Sequence, residues 1–427
     1  VIPPGRKLIP SAEGNVSYHI FLSVLKKGLN SQGYEGTLKP MARFDGMKGG
    51  ASVFLAFLFF LWFMNFSART IFSPLMPLIE DEFMISHAKA SSIYVFSSLG
   101  YGIALFLSGM FCGHFGYKKS ILVSILATAC VFFSIPAVKS FSVLCLFSFI
   151  LGLSTAVYLP SIIPLITEYY EERLWGRSIA IHDSAASMSI FAAPFIALFF
   201  LGFLPWRQIF TVFGVIFVAM ALVFWLVAGE VKIHKRERVP LLSFLKNSSL
   251  WIMGAIWTFA AGANLGVYYV VPLYLTKELL FDIGHANTIF GWSRIGGIIV
   301  AVLTGFIVDR FSLKKIMFIF LFLSGLLTVL LTAAGRDSIA TWLFIQASVV
   351  MGFFPVGLVA ISRMFGREQR SMATGFIVTL GVIFGLGVVP YFLGLAGDLM
   401  SFRFGILIFG ILVMLSSGLT FFSKDLR

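Results

Sequence analysis

GFIVDRFSLKK, residues 305–315, closes one long apolar run and opens the next. GMFCGHFGYKK, residues 109–119, does the same 196 positions earlier, so Gly109, Phe115, Lys118 and Lys119 return as Gly305, Phe311, Lys314 and Lys315. Pro194 and Pro390 share that offset, and Pro77 and Pro272 are 195 apart. Three separate landmarks kept in one register are the mark of an internal duplication. The chain reads as two similar halves, each built from apolar runs.

Composition says what those runs are for. Of 427 residues, 59% are hydrophobic, only 12% are charged, 49 are phenylalanine, and mean hydropathy is +0.95. Soluble domains are roughly a quarter charged, so the solvent for this surface is lipid. A lipid-spanning chain must satisfy its backbone internally, as helices or a closed barrel. The runs are apolar all round, with no period-two alternation, so the expected class is all-α integral membrane. Twelve spans follow, at about 51–77, 91–112, 120–138, 141–165, 179–203, 208–229, 249–274, 286–308, 316–334, 340–362, 371–395 and 404–422. They group as a polar extension 1–46, a first six-helix bundle 47–229, a central cytoplasmic loop 230–248 and a second bundle 249–427. Met41 and Met47 are candidate starts, and Val16 to Leu29 has the spacing of an interfacial helix.

Loop charge orients the chain. Connections that follow even-numbered spans, with the C-terminal tail, hold seventeen Lys and Arg; the opposite connections hold six. This bias puts both termini in the cytoplasm, the expected site being a plasma (inner) membrane. It also explains the net charge of +13 without a nucleic-acid partner. No GxxxxGK[ST], GxSxG or HExxH pattern occurs, and Cys112, Cys130 and Cys145 lie scattered in apolar runs. Neither an enzyme, a metal site nor a cofactor is expected. A duplicated helical unit is instead a transporter feature, with substrate held between the halves.

The stretch 305–315 resembles the loop motif of the major facilitator superfamily, Gly-x-x-x-Asp-Arg-x-Gly-x-basic-basic. It matches at Gly305, Asp309, Arg310, Lys314 and Lys315, with Ser312 at the glycine place. The first half keeps Gly109, Gly116, Lys118 and Lys119 but has Gly113-His114 for Asp-Arg. The resemblance covers about 47–427 and implies a cytoplasmic latch in which the aspartate faces a helix N-terminus. The first span is similar, in Asn65-Phe-Ser-Ala-Arg69 with Pro77 eight residues on, to anion:cation symporters and organophosphate:phosphate antiporters. The second of these groups has an arginine at the matching place in the seventh span, where this chain has Asn264, eight before Pro272.

A charge inside the bilayer is costly and normally faces a cavity. Arg69 and Arg294 each lie eight residues from the outer end of their spans, roughly 12 Å deep, and together read as substrate ligands. Asn65, Asn264, Tyr268 and Tyr158 are further candidate liners. His182 and Asp183, adjacent titratable groups in an apolar fifth span, are a candidate proton-coupling pair. The expected function is transport of a small organic anion, most simply a carboxylate, by a monomer in the lipid bilayer. Drug or metabolite efflux is the alternative, and a non-transporting receptor a more distant one.

Overall fold

Twelve helices in the computed structural model are long and apolar enough to cross a membrane. They are α1 Gly50–Phe83, α2 His87–Ser108, α3 Tyr117–Ala137, α4 Phe141–Tyr169, α5 Glu172–Leu201 and α6 Trp206–Val227. The second half follows as α7 Ser248–Glu278, α8 Ile283–Ile307, α9 Leu313–Leu331, α10 Ile339–Met364, α11 Met372–Leu399 and α12 Phe402–Phe422. The structure describes residues 44, 46, 47, 49–229, 245–308 and 310–422, so most of the extension, most of the central loop and Asp309 lie outside the described residues. The two faces take the names that the charge bias gives them, outer and cytoplasmic.

Each helix coincides with a span read from the sequence, but several reach further. α1 runs to Phe83 rather than 77, and α5 begins at Glu172 rather than 179. Those ends carry Glu80, Asp81 and Glu82, or Glu172, Arg173 and Arg177, which an apolar window rejects. Their backbone groups still gain from intrahelical hydrogen bonds, so the helix continues past the apolar run. Phe44, placed by sequence in the polar extension, is tied to the body. Its amide donates to the Tyr169 carbonyl at 2.7 Å, its carbonyl accepts from Glu171, and its ring packs on Phe54 and Tyr170.

The duplication is visible in the backbone. α1 ends on Met84 (φ 48°) and α7 is followed by Leu280 (φ 55°), 196 positions later; these are the non-glycine residues with left-handed φ among those described. Two residues further on, Ser86 and Asp282 cap the starts of α2 and α8, accepting the amides of Lys89 at 3.3 Å and His285 at 2.9 Å. Packing repeats in the same register. Gly100 of α2 lies against the Phe149 carbonyl of α4, and Gly296 of α8 against Ser348 and Phe344 of α10. Gly214 meets Phe133 where α6 crosses α3, and Gly410 meets Val329 where α12 crosses α9. Helices without a Cβ at the crossing approach closely, which is how lipid-embedded helices gain packing energy.

Polar contacts between the bundles gather in the outer half. Ser73 Oγ donates to the Tyr268 carbonyl at 3.1 Å, the Tyr94 hydroxyl to the Tyr269 carbonyl at 3.3 Å, and Asn287 Nδ2 to the Pro74 carbonyl at 3.2 Å. At the rim, the Asp398 carboxylate of α11 accepts the amides of His87 and Ala88 at 2.8 and 2.9 Å. A carboxylate from one bundle thus satisfies the free amides that begin α2 of the other, where the helix dipole favours an anion. Beside it, Lys277 pairs with Asp81 and lies 3.8 Å from Glu80, whose other oxygen holds His87 Nδ1 at 2.8 Å. The outer side is therefore sealed. Its C-terminal walls contain π-helical turns, Gly262–Gly266 and Tyr274–Glu278 in α7 and Gly381–Val388 in α11. Such turns are frequent at functional sites.

Two outcomes follow from this packing. A Cβ at Gly100 would lie 2.1 Å from a backbone oxygen, whereas at Gly296 the nearest atom is the movable Ser348 Oγ. Gly100→Ala should lower the thermal-unfolding midpoint by the equivalent of about 1–3 kcal/mol, and Gly296→Ala by less; equal midpoints would contradict the packing. Asp398→Asn combined with Lys277→Gln should loosen the seal. Labelling of Ser73→Cys by an impermeant maleimide from the outer side should rise severalfold, and unchanged labelling would place the barrier elsewhere.

Candidate functional site

The α1 residues Asn65, Arg69 and Ser73 recur every four residues and share one helix face. Because α1 continues to Phe83, Arg69 lies fourteen residues inside the helix end, roughly 20 Å deep rather than the 12 Å given by the shorter sequence span. Its side chain is 7% exposed. The guanidinium stacks on Tyr101 at 4.2 Å and Phe66 at 4.7 Å. Among the described residues no carboxylate pairs with it and no hydrogen bond ends on it, its Nε being buried and unpartnered. Asn65, one turn nearer the cytoplasm, donates to the Thr155 carbonyl at 3.3 Å while its Oδ1 finds no partner among the described residues.

Arg69 opens into a small pocket walled by Tyr94, Ser97, Ser98 and Tyr101 of α2, Tyr269 of α7, and Val382 and Leu386 of α11. The pocket lies between the bundles, and in this sealed state it has room for about one water molecule. Tyr94 and Tyr269 form its outer lid, their rings parallel within 1° and 4.2 Å apart. The four α2 residues were not singled out by sequence, although their spacing of three, four and seven residues is that of one helical face. Uncharged polar groups in an apolar span give a weak signal, and only that periodicity could have exposed them.

Arg294 is 6% exposed and lies eleven residues inside α8, so the equal depth inferred from the sequence does not hold. Its Nη1 nevertheless donates to Asn264 Oδ1 at 3.0 Å, and Nη2 to the Asn264 carbonyl at 3.4 Å. Asn264 occupies the place in α7 that Arg69 occupies in α1, so α8 delivers to that place the cation that α7 lacks. Tyr268 lies beneath this guanidinium at 4.5 Å and donates its hydroxyl to the Ile190 carbonyl of α5 at 2.9 Å. Adjacent tyrosines of α7 thus serve different arginines, Tyr269 that of α1 and Tyr268 that of α8.

The remaining candidates lie nearer the cytoplasmic face. Tyr158 is fully buried inside the first bundle, its hydroxyl 3.3 Å from the Leu58 carbonyl and 3.2 Å from His182 Nε2. His182 stacks with Trp62 and Tyr158, and its Nδ1 has no partner among the described residues. Asp183 is exposed and faces the Trp62 indole, so the sequence neighbours have different surroundings that Trp62 joins. In the two lysine-bearing loops, Lys119, Arg310 and Lys315 are exposed, Lys118 is half-buried, and Lys314 donates to the Phe421 carbonyl at 2.9 Å. Gly116 takes φ 85°, open to glycine, whereas Ser312 at the matching place takes φ −61°, so these loops differ in backbone as well as in charge. Among the described residues, no carbonyl or side chain crowds Gly305 or Gly113. A larger groove of about 470 Å³ lies between Phe191, Phe195 and Trp292, but its walls are apolar and offer an anion nothing.

The family model described as Major Facilitator Superfamily matches residues 58–284 and 275–426. The chain belongs to the Major Facilitator Superfamily. This major facilitator chain is accordingly a multi-pass secondary active transporter of a small molecule, not an enzyme. It is 24% identical over 333 residues to a TsgA homolog of Erwinia tasmaniensis, covering 76% of this chain and 83% of that one. With TsgA of Shigella flexneri it shares 24% over 321 residues, 71% of this chain and 78% of the other. Its fold is similar to a bacterial homolog of the human lysosomal transporter Spinster in an inward-facing and occupied conformation, with TM-score 0.73, 16% identity, and 90% and 98% of the two chains covered. It is also similar to a mutant of the nucleoside transporter NupG, with TM-score 0.72, 15% identity, and coverage of 87% and 99%.

Proposed function

We propose that this transporter carries a small organic anion, most simply a carboxylate, and that Arg69 supplies its counter-charge. One observation carries the reading: a buried guanidinium at the bundle interface with no anion beside it among the described residues. A carboxylate would bring the missing charge and accept a pair of hydrogen bonds from the planar fork. The likeness of Asn65 to Pro77 to the anion:cation symporters supports the same reading, and the neutral Asn264 sets it apart from the paired-arginine phosphate exchangers. Both bundles then alternate about this pocket in a plasma-membrane monomer with cytoplasmic termini. The outer seal opens as the latch at Asp309, Lys314 and Lys315, with its partner at Lys118 and Lys119, closes the other side.

Coupling to protons through His182 and Asp183 is a second element of the proposal. Asp183 lies on the helix surface, His182 is buried, and Trp62 touches both. A proton taken up at Asp183 would therefore change the charge beside the packed aromatic stack of α1, α4 and α5.

A thermal-shift screen of carboxylates, phosphate esters and uncharged drugs should give anions as hits. Calorimetry on those hits should show Arg69→Lys weakening binding by about 30-fold, through loss of the fork, and Arg69→Gln abolishing it. An uncharged drug bound equally by all three proteins would favour efflux and make Arg69 structural. For coupling, Asp183→Asn should abolish uptake driven by a pH gradient in proteoliposomes while leaving exchange intact. Gradient-driven uptake surviving in both Asp183→Asn and His182→Gln would remove the pair from the mechanism.

A further inference from the structure

The pocket around Arg69 holds more hydrogen-bonding capacity than a bare carboxylate can use. Arg69 donates only, and a carboxylate accepts only, so those two groups answer each other. The α2 face adds Ser97, Ser98 and Tyr101 to the wall. Among the described residues no hydrogen bond ends on the hydroxyl of any of the three, and none of those oxygens is fully buried. Tyr94 differs, since its hydroxyl is already committed to the Tyr269 carbonyl. Serines inside apolar helices commonly turn back on the carbonyl four residues earlier, as Ser120, Ser148 and Ser161 do here at 2.7, 2.9 and 2.7 Å. Ser97 and Ser98 leave that option unused, on the one face that meets Arg69.

We propose that the substrate is a hydroxylated carboxylate. Its carboxylate pairs with Arg69, and a hydroxyl on a neighbouring carbon meets Ser97, Ser98 and Tyr101. This inference rests on the anion reading above and narrows it. A hydroxyl both donates and accepts, as do the three groups on the wall, so either direction of hydrogen bond can close. A carboxylate with a hydrocarbon chain would dry those groups without replacing their water. Sites built to bond a hydroxyl discriminate strongly against the analogue that lacks it. The pocket is closed down in this state. With room for about one water molecule in the sealed state, it must widen to take a substrate, and the hydroxyls that then meet the bound molecule are those beside Arg69.

The test compares matched pairs by calorimetry on the full-length chain in nanodiscs: lactate with propionate, and gluconate with hexanoate. Propane-1,2-diol and glucose serve as the uncharged controls. The hydroxylated acid of at least one pair should bind about tenfold more tightly than its partner. Ser98→Ala and Tyr101→Phe should each narrow that ratio by weakening the hydroxylated acid alone, and Arg69→Gln should remove binding of both acids. If propionate and hexanoate bind as tightly as their hydroxylated partners, or the ratios survive in both α2 variants, the inference falls while the anion reading stands. If the uncharged controls bind as tightly as the acids and Arg69→Gln changes nothing, the anion reading falls with it. Absence of binding by either hydroxy acid would also overturn the proposal.

Discussion

An arginine held in the membrane interior, with no carboxylate beside it among the described residues, sets the terms for everything around it. A buried charge costs several kcal/mol unless something answers it. Here the answer among the described residues is aromatic: Tyr101 and Phe66 present ring faces to Arg69, and the guanidinium keeps its hydrogen-bonding edge unspent. Cation–π contact stabilises the charge by about 2 kcal/mol when desolvated, enough to hold the side chain in place but not to satisfy its five donors. Sealing the outer side makes this tension useful. With Ser73, Tyr94 and Asp398 closing the bundles above it, Arg69 lies behind a closed outer side.

The two halves began as copies and now divide the work. Their turns and crossings remain in register, as Met84 with Leu280 and Gly100 with Gly296 show. The polar residues have diverged. α1 keeps a free arginine, whereas α7 has Asn264, which is engaged by Arg294 from α8. The first bundle thus presents an open cation and the second a cation already tied to an amide. The π-helical turns fall in α7 and α11, the C-terminal walls of the outer seal. An arginine-bearing bundle facing a bundle whose walls contain π-helical turns suits alternation about a site between them.

What the sequence disclosed follows from the range of each interaction. The spans were legible because lipid solvation acts on every residue of a helix, and the repeat because duplication preserves spacing. Arg69, Arg294 and Asn264 stood out because charge and amide are rare in hydrocarbon. The α2 wall of Ser97, Ser98 and Tyr101 did not, since uncharged hydroxyls in a span are common and only their shared face distinguishes them. The outer seal was hidden for another reason. Asp398 and the His87 amide are 311 residues apart, and each alone reads as a solvated helix end. Helix lengths were underestimated at charged ends, which placed Arg69 too near the outer surface. The pairing of His182 with Asp183 was plausible from adjacency, but successive residues of a helix point about 100° apart, and here one is buried and the other exposed.

The most direct measurement is a cryo-electron-microscopy map of the chain with a carboxylate that stabilises it. Density for the carboxylate within hydrogen-bond distance of the Arg69 guanidinium, between α1, α2 and α11, is the expected result. A ligand bound elsewhere in the bundle interface, with Arg69 still stacked on Tyr101 and untouched, would contradict an anion site at Arg69.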